Sequence, residues 1–230
     1  MKTIGLIGGM SWESTVPYYT ILNTVIKQQL GGLHSAQCLL YSVDFDEIEV
    51  CQSSGDWEKS AQILGNIARR LQTAGADCIV ICTNTMHKVA PQIQAQITIP
   101  VLHIADAVID AIQAANITTV GLLGTKFTME QDFIKEKITA QGIAVLIPAE
   151  DDRNFIHHVL YDELCLGIVS GASKQRFLSI IESLRAQGAG GVILGCTEIG
   201  LFIHQEDTSI PVFDTTKIHA EAAALYSLQP

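Results

Sequence analysis

An internal repeat restricts the possible folds of this chain more than any other feature of its sequence. Three apolar segments of the first half recur in the second half, in the same order and at offsets of 116, 113 and 111 residues. The matched pairs are Thr3–Gly9 with Thr119–Thr125, Ile79–Ile81 with Val192–Leu194, and Ile99–Leu102 with Ile210–Phe213. A repeat of this length predicts two whole α/β halves, not the short units of a solenoid. In this alignment Thr83 falls on Cys196.

Short apolar runs alternate along the chain with longer segments of helical periodicity. Strands are predicted at about 2–8, 37–43, 77–82, 100–103, 118–123, 143–147, 190–194 and 211–213, and helices at about 14–30, 56–74, 86–95, 105–115, 129–140, 152–166, 173–187 and 215–228. Continuous apolar strands separated by helices indicate parallel sheets covered on both faces. We therefore expect an α/β fold of two pseudo-symmetric parallel-sheet half-domains, 1–112 and 113–213, with the active site in the cleft between them. The C-terminal helix, within 214–230, is expected to pack back on the first half.

The composition excludes several classes of protein. Apolar residues at 48% and charged residues at 17% are typical of an ordered globular chain. The net charge of −10, with no basic cluster, argues against nucleic acid as a partner. No apolar run approaches the roughly 20 residues that span a bilayer, and no cleavage site follows the N-terminal apolar run. We expect a soluble cytoplasmic protein.

The six cysteines do not form a recognisable framework. No pair has CxxC spacing, which argues against a zinc site and, in a cytoplasmic chain, for reduced thiols. Four of them lie within apolar patterns and are predicted to be small buried hydrophobic residues: Cys38, Cys51, Cys78 and Cys165.

Polar residues follow the matched apolar strands at the point where each strand ends. In the second half these residues are Gly195-Cys196-Thr197-Glu198, and in the first half Asn84 and Thr85 follow Thr83. Parallel α/β sheets bind their ligands at the carboxyl ends of the strands. We therefore expect a functional site there, with Glu198 either adjusting the pKa of the Cys196 thiol or starting the next helix.

A glycine-rich turn follows the first strand. Gly5-Leu6-Ile7-Gly8-Gly9 lacks the GxGxxG spacing of a dinucleotide site, and the chain has no P-loop motif. Two interpretations stay open for the segment that follows. The hydroxyls of Ser11, Ser14 and Thr15 face a small anion at the start of a helix, or the segment is an ordinary capped turn.

Four motifs together resemble the aspartate/glutamate racemase family over essentially the whole chain. They are Gly8-Gly9-Met10, Asn84-Thr85-Met86-His87-Lys88, Leu102-His103-Ile104-Ala105-Asp106 and Gly195-Cys196-Thr197-Glu198. The resemblance implies a PLP-independent, cofactor-independent enzyme, often a homodimer, that inverts the α-carbon of an amino acid with one cysteine from each half. It places the catalytic positions at Cys196 and Thr83. The substrate-binding residues would be Met10, Ser11, Asn84, Thr85, Thr125, Thr197 and Glu198.

The chain departs from the family pattern at two places. Thr83 stands where the first catalytic cysteine is expected, and a threonine hydroxyl is a far weaker acid than a thiol. Family aspartate racemases are similar in having an arginine after the second strand, but here the first arginine is Arg69 and that region reads Asp44-Phe45-Asp46-Glu47. The first departure bears on the mechanism, and the second on the preference for acidic substrates.

Two further groups of residues have more than one interpretation. His87 and Lys88 open a helix and would either bias the local charge toward an anion or cap the surface. His103 follows an apolar strand and is predicted to be a core residue with its hydrogen bonds satisfied. Arg153, His157 and Tyr161 recur at helical spacing and predict a solvated or interface face.

Three functions remain open at this point. The first is an amino-acid racemase, for aspartate and glutamate or of broader specificity. The second is a related carbanion enzyme, such as a decarboxylase, that needs a single cysteine; the threonine at position 83 favours it. The third is a binding module without catalysis, against which the intact Gly195-Cys196-Thr197-Glu198 motif argues.

Overall fold

The computed structural model describes all 230 residues, which form two compact units. Unit 1 contains Met1–Ile104 and His219–Pro230, and unit 2 contains Ala105–Ile218. The strands are β1 (Ile4–Gly8), β2 (Cys38–Ser42), β3 (Cys78–Ile81) and β4 (Val101–Leu102) in unit 1, and β5 (Thr119–Gly124), β6 (Ala144–Leu146), β7 (Gly191–Gly195) and β8 (Val212–Asp214) in unit 2. All eight predicted strands are confirmed.

Each unit contains one four-stranded parallel sheet, with the order β2-β1-β3-β4 in unit 1 and β6-β5-β7-β8 in unit 2. The two orders are the same when the strands are numbered within each unit. The predicted α/β fold with two parallel sheets is therefore confirmed.

Ten α-helices connect the strands. They are α1 (Trp12–Leu30), α2 (Phe45–Ser54), α3 (Trp57–Thr73), α4 (Ala90–Gln94), α5 (Ile104–Ala114), α6 (Lys126–Glu130), α7 (Asp132–Thr139), α8 (Glu150–Asp162), α9 (Gly171–Ala186) and α10 (Thr215–Ser227). Three predicted helices are not continuous. A 3-10 turn at Thr85–Val89 precedes α4, and another at Leu164–Leu166 follows α8. The third predicted helix is divided between α6 and α7. None of the helices is long and apolar enough to cross a membrane.

Helix α2 is the element that the sequence analysis missed. Its buried residues are few, so its apolar periodicity is weak. Its ends are nevertheless marked. The Asp44 side chain accepts a hydrogen bond from the Asp46 N–H, and Gly55 ends the helix in the left-handed conformation. The acidic segment after β2 is therefore the capped first turn of a helix.

The strand register reproduces the repeat found in the sequence. Gly5 of β1 pairs with Ile79 of β3, and the repeat equivalents Gly121 and Val192 pair in the same way between β5 and β7. The pairing of β3 with β4 matches that of β7 with β8 at the offsets found in the sequence. Thr83 and Cys196 are thus equivalent by structure, each being the second residue after the matched apolar strand segment.

Both sheets are covered by apolar side chains. All five residues of β1 and all five of β7 are buried, because helices pack on both faces of each sheet. On one face of the unit 1 sheet, Ala220, Ala223 and Ala224 of α10 pack in a cluster with Leu6 of β1 and Tyr18 of α1. The buried sheets hold the strand ends, and the polar residues that follow them, in fixed positions.

Candidate active site

A thiol and a carboxylate are in contact at the carboxyl end of β7. The Cys196 Sγ donates to Glu198 Oε2 at 2.9 Å, and the Thr197 Oγ1 donates to the same oxygen at 2.7 Å. Glu198 is only 2% exposed, whereas Cys196 is partly exposed. The buried carboxylate thus lies behind a thiol whose residue is partly exposed.

Burial raises the pKa of the Cys196 thiol well above its usual value, and the negative charge of Glu198 raises it further. The side chain is therefore a protonated thiol near neutral pH. Thiolate, not thiol, is the reactive base of a cysteine. The Glu198 oxygen that accepts the Sγ hydrogen bond is in position to take that proton. The two side chains form an acid–base pair.

The neighbouring strand β5 brings Thr125 to the same edge. Gly124 pairs with Gly195 in the sheet, so Thr125 is the residue that lies beside Cys196 in register. The Thr125 hydroxyl accepts a hydrogen bond from the Thr128 N–H at 3.2 Å and so caps α6. A side chain at Gly195 would come within 2.8 Å of the Leu123 carbonyl oxygen, which explains the glycine immediately before the thiol.

The equivalent edge of unit 1 has a different chemistry. Thr83 is partly exposed after β3, and the buried residues Asn84 and Thr85 follow it. Thr85 occupies the position equivalent to Glu198, so this edge has neither the thiol nor the carboxylate of unit 2. Both are replaced by hydroxyl groups, which do not ionise near neutral pH.

His87 anchors the peptide at Thr83. The Ile104 N–H donates to His87 Nε2 at 3.1 Å, so the ring proton lies on Nδ1, which donates to the Thr83 carbonyl oxygen at 2.8 Å. Burial lowers the pKa of His87 well below its usual value, and His103 and His219 lower it further. Neither interpretation holds for His87: its neutral ring does not bias the local charge toward an anion, and its buried position does not cap the surface. Its neighbour Lys88 lies over the ring of Trp57, with Nζ 4.0 Å from the centroid.

Two other histidines lie close to His87. His103 is partly exposed, and its ring centroid is 4.6 Å from that of His87. His219 accepts from the Tyr18 hydroxyl through Nδ1 at 2.9 Å and donates through Nε2 to the Leu102 carbonyl oxygen at 2.8 Å. The sequence analysis did not identify His219, because a single histidine within an apolar helix face carries no distinctive signal.

The turn after β1 is closed by hydrogen bonds to the first turn of α1, although the Ser11 side chain does not cap the helix. The hydroxyls of Ser14 and Thr15 both donate to the Ser11 carbonyl oxygen, at 2.9 and 3.0 Å, and Thr15 Oγ1 also accepts from the Gly9 N–H at 2.8 Å. Gly9 has a φ of 89°. The alternative in which Ser14 and Thr15 face an anion is wrong, because their protons are used within the helix. Met10 and Ser11 are buried in this turn.

The face of α8 that carries Arg153 and His157 is packed against α6. Arg153 binds Glu130 Oε1 at 2.9 Å, and His157 Nδ1 accepts a hydrogen bond from the Lys126 N–H at 3.3 Å. The two side chains are partly exposed and bound by α6, so they are not freely solvated, and the alternative of an interface face stays a prediction. Burial lowers the pKa of His157, and the nearby Lys126 charge lowers it further.

All six cysteines are free thiols. Cys51, Cys78 and Cys82 are buried, as the sequence predicts for the first two, whereas Cys38 and Cys165 are partly exposed. Burial raises the pKa of Cys78 to about 11, and it raises that of Cys82 even further. No three His, Cys, Asp or Glu side chains are grouped so as to hold a metal ion.

Comparison with known proteins assigns the chain to a family. The model of the Asp/Glu/hydantoin racemase family matches residues 7–223. A Yersinia pestis protein with a proposed assignment as an Asp/Glu racemase is 55% identical, with a TM-score of 0.93 and all of both chains covered. An aspartate racemase homologue from Pyrococcus horikoshii OT3 is 34% identical, with a TM-score of 0.87 and all of both chains covered. The broad specificity amino-acid racemase RacX of Bacillus subtilis (strain 168) is 23% identical over 95% of each chain. The chain belongs to the Asp/Glu/hydantoin racemase family.

Proposed function

We propose that this protein is a PLP-independent amino-acid racemase, acting on aspartate or glutamate, in which Cys196 exchanges the α-proton of the substrate. The observation that carries the proposal is the hydrogen bond from the Cys196 thiol to Glu198 at a partly exposed strand end. Membership of the racemase family supports the reaction class. The aspartate racemase homologue supports an acidic substrate, and the more distant RacX supports a broader range.

Cys196 and Glu198 act as an acid–base pair both in the abstraction and in the return of the α-proton. For abstraction, Glu198 accepts the thiol proton, and the thiolate then takes the α-proton while the electron pair of the C–H bond stays on the α-carbon. For proton return, the thiol protonates that carbanion, and Glu198 gives its proton back to the sulfur. A positioned acid–base group of this kind contributes about 10²- to 10⁴-fold to a rate.

The carbanion needs hydrogen-bond donors on the substrate carboxylate, because no cofactor takes up its charge. Under this proposal the polar residues of the strand ends serve that purpose: Asn84, Thr85 and Thr125, with Met10 and Ser11 beside the first strand. Thr197 donates its hydroxyl proton to Glu198 and so orients that carboxylate. Thr83 exchanges the proton on the opposite face of the α-carbon. Because its hydroxyl is a poor acid and a poor base, that half-reaction is the slower one.

We propose further that the protein forms a homodimer, as the family resemblance implies. Helix α1 exposes three large side chains at helical spacing: Trp12, Val16 and Tyr19 are 64%, 53% and 56% exposed. An exposed apolar surface of this kind is typical of a face that a protein partner covers.

A second candidate is a one-cysteine carbanion enzyme such as a decarboxylase. The observation in its favour is that the unit 1 edge has Thr83 and Thr85 in place of the thiol and carboxylate. Such an enzyme only has to protonate a carbanion on one face, and Cys196 alone would suffice.

The test is proton NMR of aspartate and glutamate, in both enantiomers, incubated with the protein in D₂O. We expect loss of the α-proton signal with wild-type protein, none with Cys196→Ala, and most of the wild-type rate with Cys82→Ala. Equal losses in both variants would mean that Cys82, and not Thr83, faces the substrate. Release of CO₂ from malonate-type acids without α-deuteration of any amino acid would favour the decarboxylase.

A further inference from the structure

The proposed acidic substrate has a side-chain carboxylate, which needs a cationic side chain to bind it. The segment directly after β2 contains no arginine, and the first turn of α2 is acidic at Asp44, Asp46 and Glu47. The acidic first turn of α2 therefore repels the side-chain carboxylate of the substrate.

Unit 2 contains eight basic residues, six of which are already paired. Lys135, Lys137, Arg153, Lys174, Arg176 and Arg185 each have a carboxylate oxygen at 2.5 to 3.4 Å. The two without an ion pair are Lys126 and Lys217. Lys217 is exposed to solvent, whereas Lys126 is partly buried. Lys126 is therefore the one basic residue of unit 2 that is both partly buried and without an ion pair.

Lys126 lies at the strand end next to Cys196. It follows β5 directly and is the first residue of α6. Because Gly124 pairs with Gly195, Lys126 is two residues beyond that pair on β5, as Thr197 is on β7. The lysine is thus brought to the same sheet edge as the thiol by two adjacent buried strands.

The backbone at Lys126 is fixed, and the carboxylate on its own helix is already paired. His157 Nδ1 accepts the Lys126 N–H at 3.3 Å, and the Thr125 hydroxyl caps the same helix start. The carboxylate of Glu130, at the other end of this short helix, is bound by Arg153 at 2.9 Å. The positive charge of Lys126 is therefore left available for a ligand.

We propose that Lys126 is the specificity-determining residue of this enzyme and binds the side-chain carboxylate of the substrate. This inference rests on the racemase function proposed above and adds the group that distinguishes glutamate and aspartate from their amides. Lys126 fills the role that the family resemblance assigns to an arginine directly after β2, where this chain has none. A charge-assisted hydrogen bond gained only by the acidic substrates favours them over glutamine and asparagine by about 10- to 100-fold.

The test compares Lys126→Met with Lys217→Met, which removes the other unpaired lysine of unit 2. Alpha-deuteration is followed by NMR for glutamate, aspartate, glutamine and asparagine. For Lys126→Met we expect KM to rise about 10- to 100-fold for the two acids, with kcat nearly unchanged and no change for the two amides. Lys126→Arg should restore a low KM for the acids, and Lys217→Met should behave as wild type.

The outcomes separate this inference from the function on which it rests. If wild-type protein exchanges amino acids but Lys126→Met affects acids and amides equally, the specificity role is overturned and the racemase function stands. The same holds if Lys217→Met, and not Lys126→Met, raises KM for the acids. A wild-type protein that exchanges no amino acid overturns both proposals.

Discussion

At the carboxyl edge of the unit 2 sheet, Cys196 is followed two residues later by Glu198, which accepts its thiol proton in a hydrogen bond. At the equivalent edge of unit 1, Thr83 is followed by Thr85. The strand registers of the two units match, so these residues hold equivalent places. The two units therefore have the same backbone arrangement, but only the unit 2 edge has an ionisable pair of side chains. This comparison indicates that the two half-reactions of the proposed racemase differ in rate.

A second difference lies one turn further along each loop. His87 in unit 1 bridges the Thr83 carbonyl and the Ile104 N–H, whereas its equivalent in unit 2 is Gly200. A side chain at Gly200 would meet Asp214 Oδ2 at 2.7 Å, and Asp214 caps α10 by accepting the Thr216 N–H at 2.9 Å. The helix that follows the last strand of each sheet thus has its start satisfied by a different acceptor, a neutral imidazole for α5 and a carboxylate for α10.

The largest effect is expected from removing the carboxylate that distinguishes the unit 2 edge. Glu198→Gln should lower α-proton exchange by about 10²- to 10⁴-fold, because the thiol loses the base that takes its proton. The same change should speed alkylation of Cys196 by iodoacetamide near neutral pH, because the Glu198 charge raises the pKa of the thiol. Exchange is measured by NMR and alkylation by peptide mass spectrometry.

The control for this variant is Glu182→Gln, which removes an exposed carboxylate paired with Arg185. It should leave both rates unchanged. Slower alkylation in Glu198→Gln, or full exchange activity, would show that Glu198 does not act on the thiol.

A smaller effect is expected from placing a thiol at the unit 1 edge. Thr83→Cys should raise exchange of the slower enantiomer by about tenfold, because a thiol with an ordinary pKa near 8.5 replaces a hydroxyl. NMR in D₂O follows each enantiomer separately. Thr73→Cys, an exposed site, controls for the mere addition of a thiol.

The smallest effect concerns stability and tests the neutral state of His87. Its pKa is lowered in the folded protein, so unfolding takes up a proton below about pH 6.5, and stability is lost as the pH falls through that value. Urea denaturation of His87→Gln should therefore show a weaker pH dependence than wild type. The two slopes should differ by up to about 1.4 kcal/mol per pH unit. The exposed His34→Gln serves as the control, and equal slopes for wild type and His87→Gln would contradict a neutral His87.

The sequence analysis predicted the sheets and the residues at their ends because these features depend on local pattern. Continuous apolar runs marked the strands, and the repeat aligned Thr83 with Cys196. The contact of Cys196 with Glu198 was one of two interpretations of residues close together in the chain. It could be anticipated because a strand end followed by a tight turn keeps such residues near each other.

The features that the sequence analysis missed depend on contacts between distant segments. The bridge from His87 to Ile104 and the contact of Arg153 with Glu130 join elements that only the folded chain brings together. Lys126 was passed over because a lysine after a strand is usually a solvated surface residue. Its lack of an ion pair is visible only in the folded chain, where six of the eight basic residues of unit 2 have a carboxylate partner.

The most direct test of the asymmetry is the exchange of the α-proton of each enantiomer by the wild-type protein in D₂O. Because Cys196 can exchange its own proton with solvent, the enantiomer whose α-proton it takes should become deuterated with retention, faster than it is inverted. The other enantiomer should exchange at least about 100-fold more slowly, because it depends on Thr83. Equal exchange rates for the L and D substrates would contradict the account, since the two edges would then be equally effective despite their different residues.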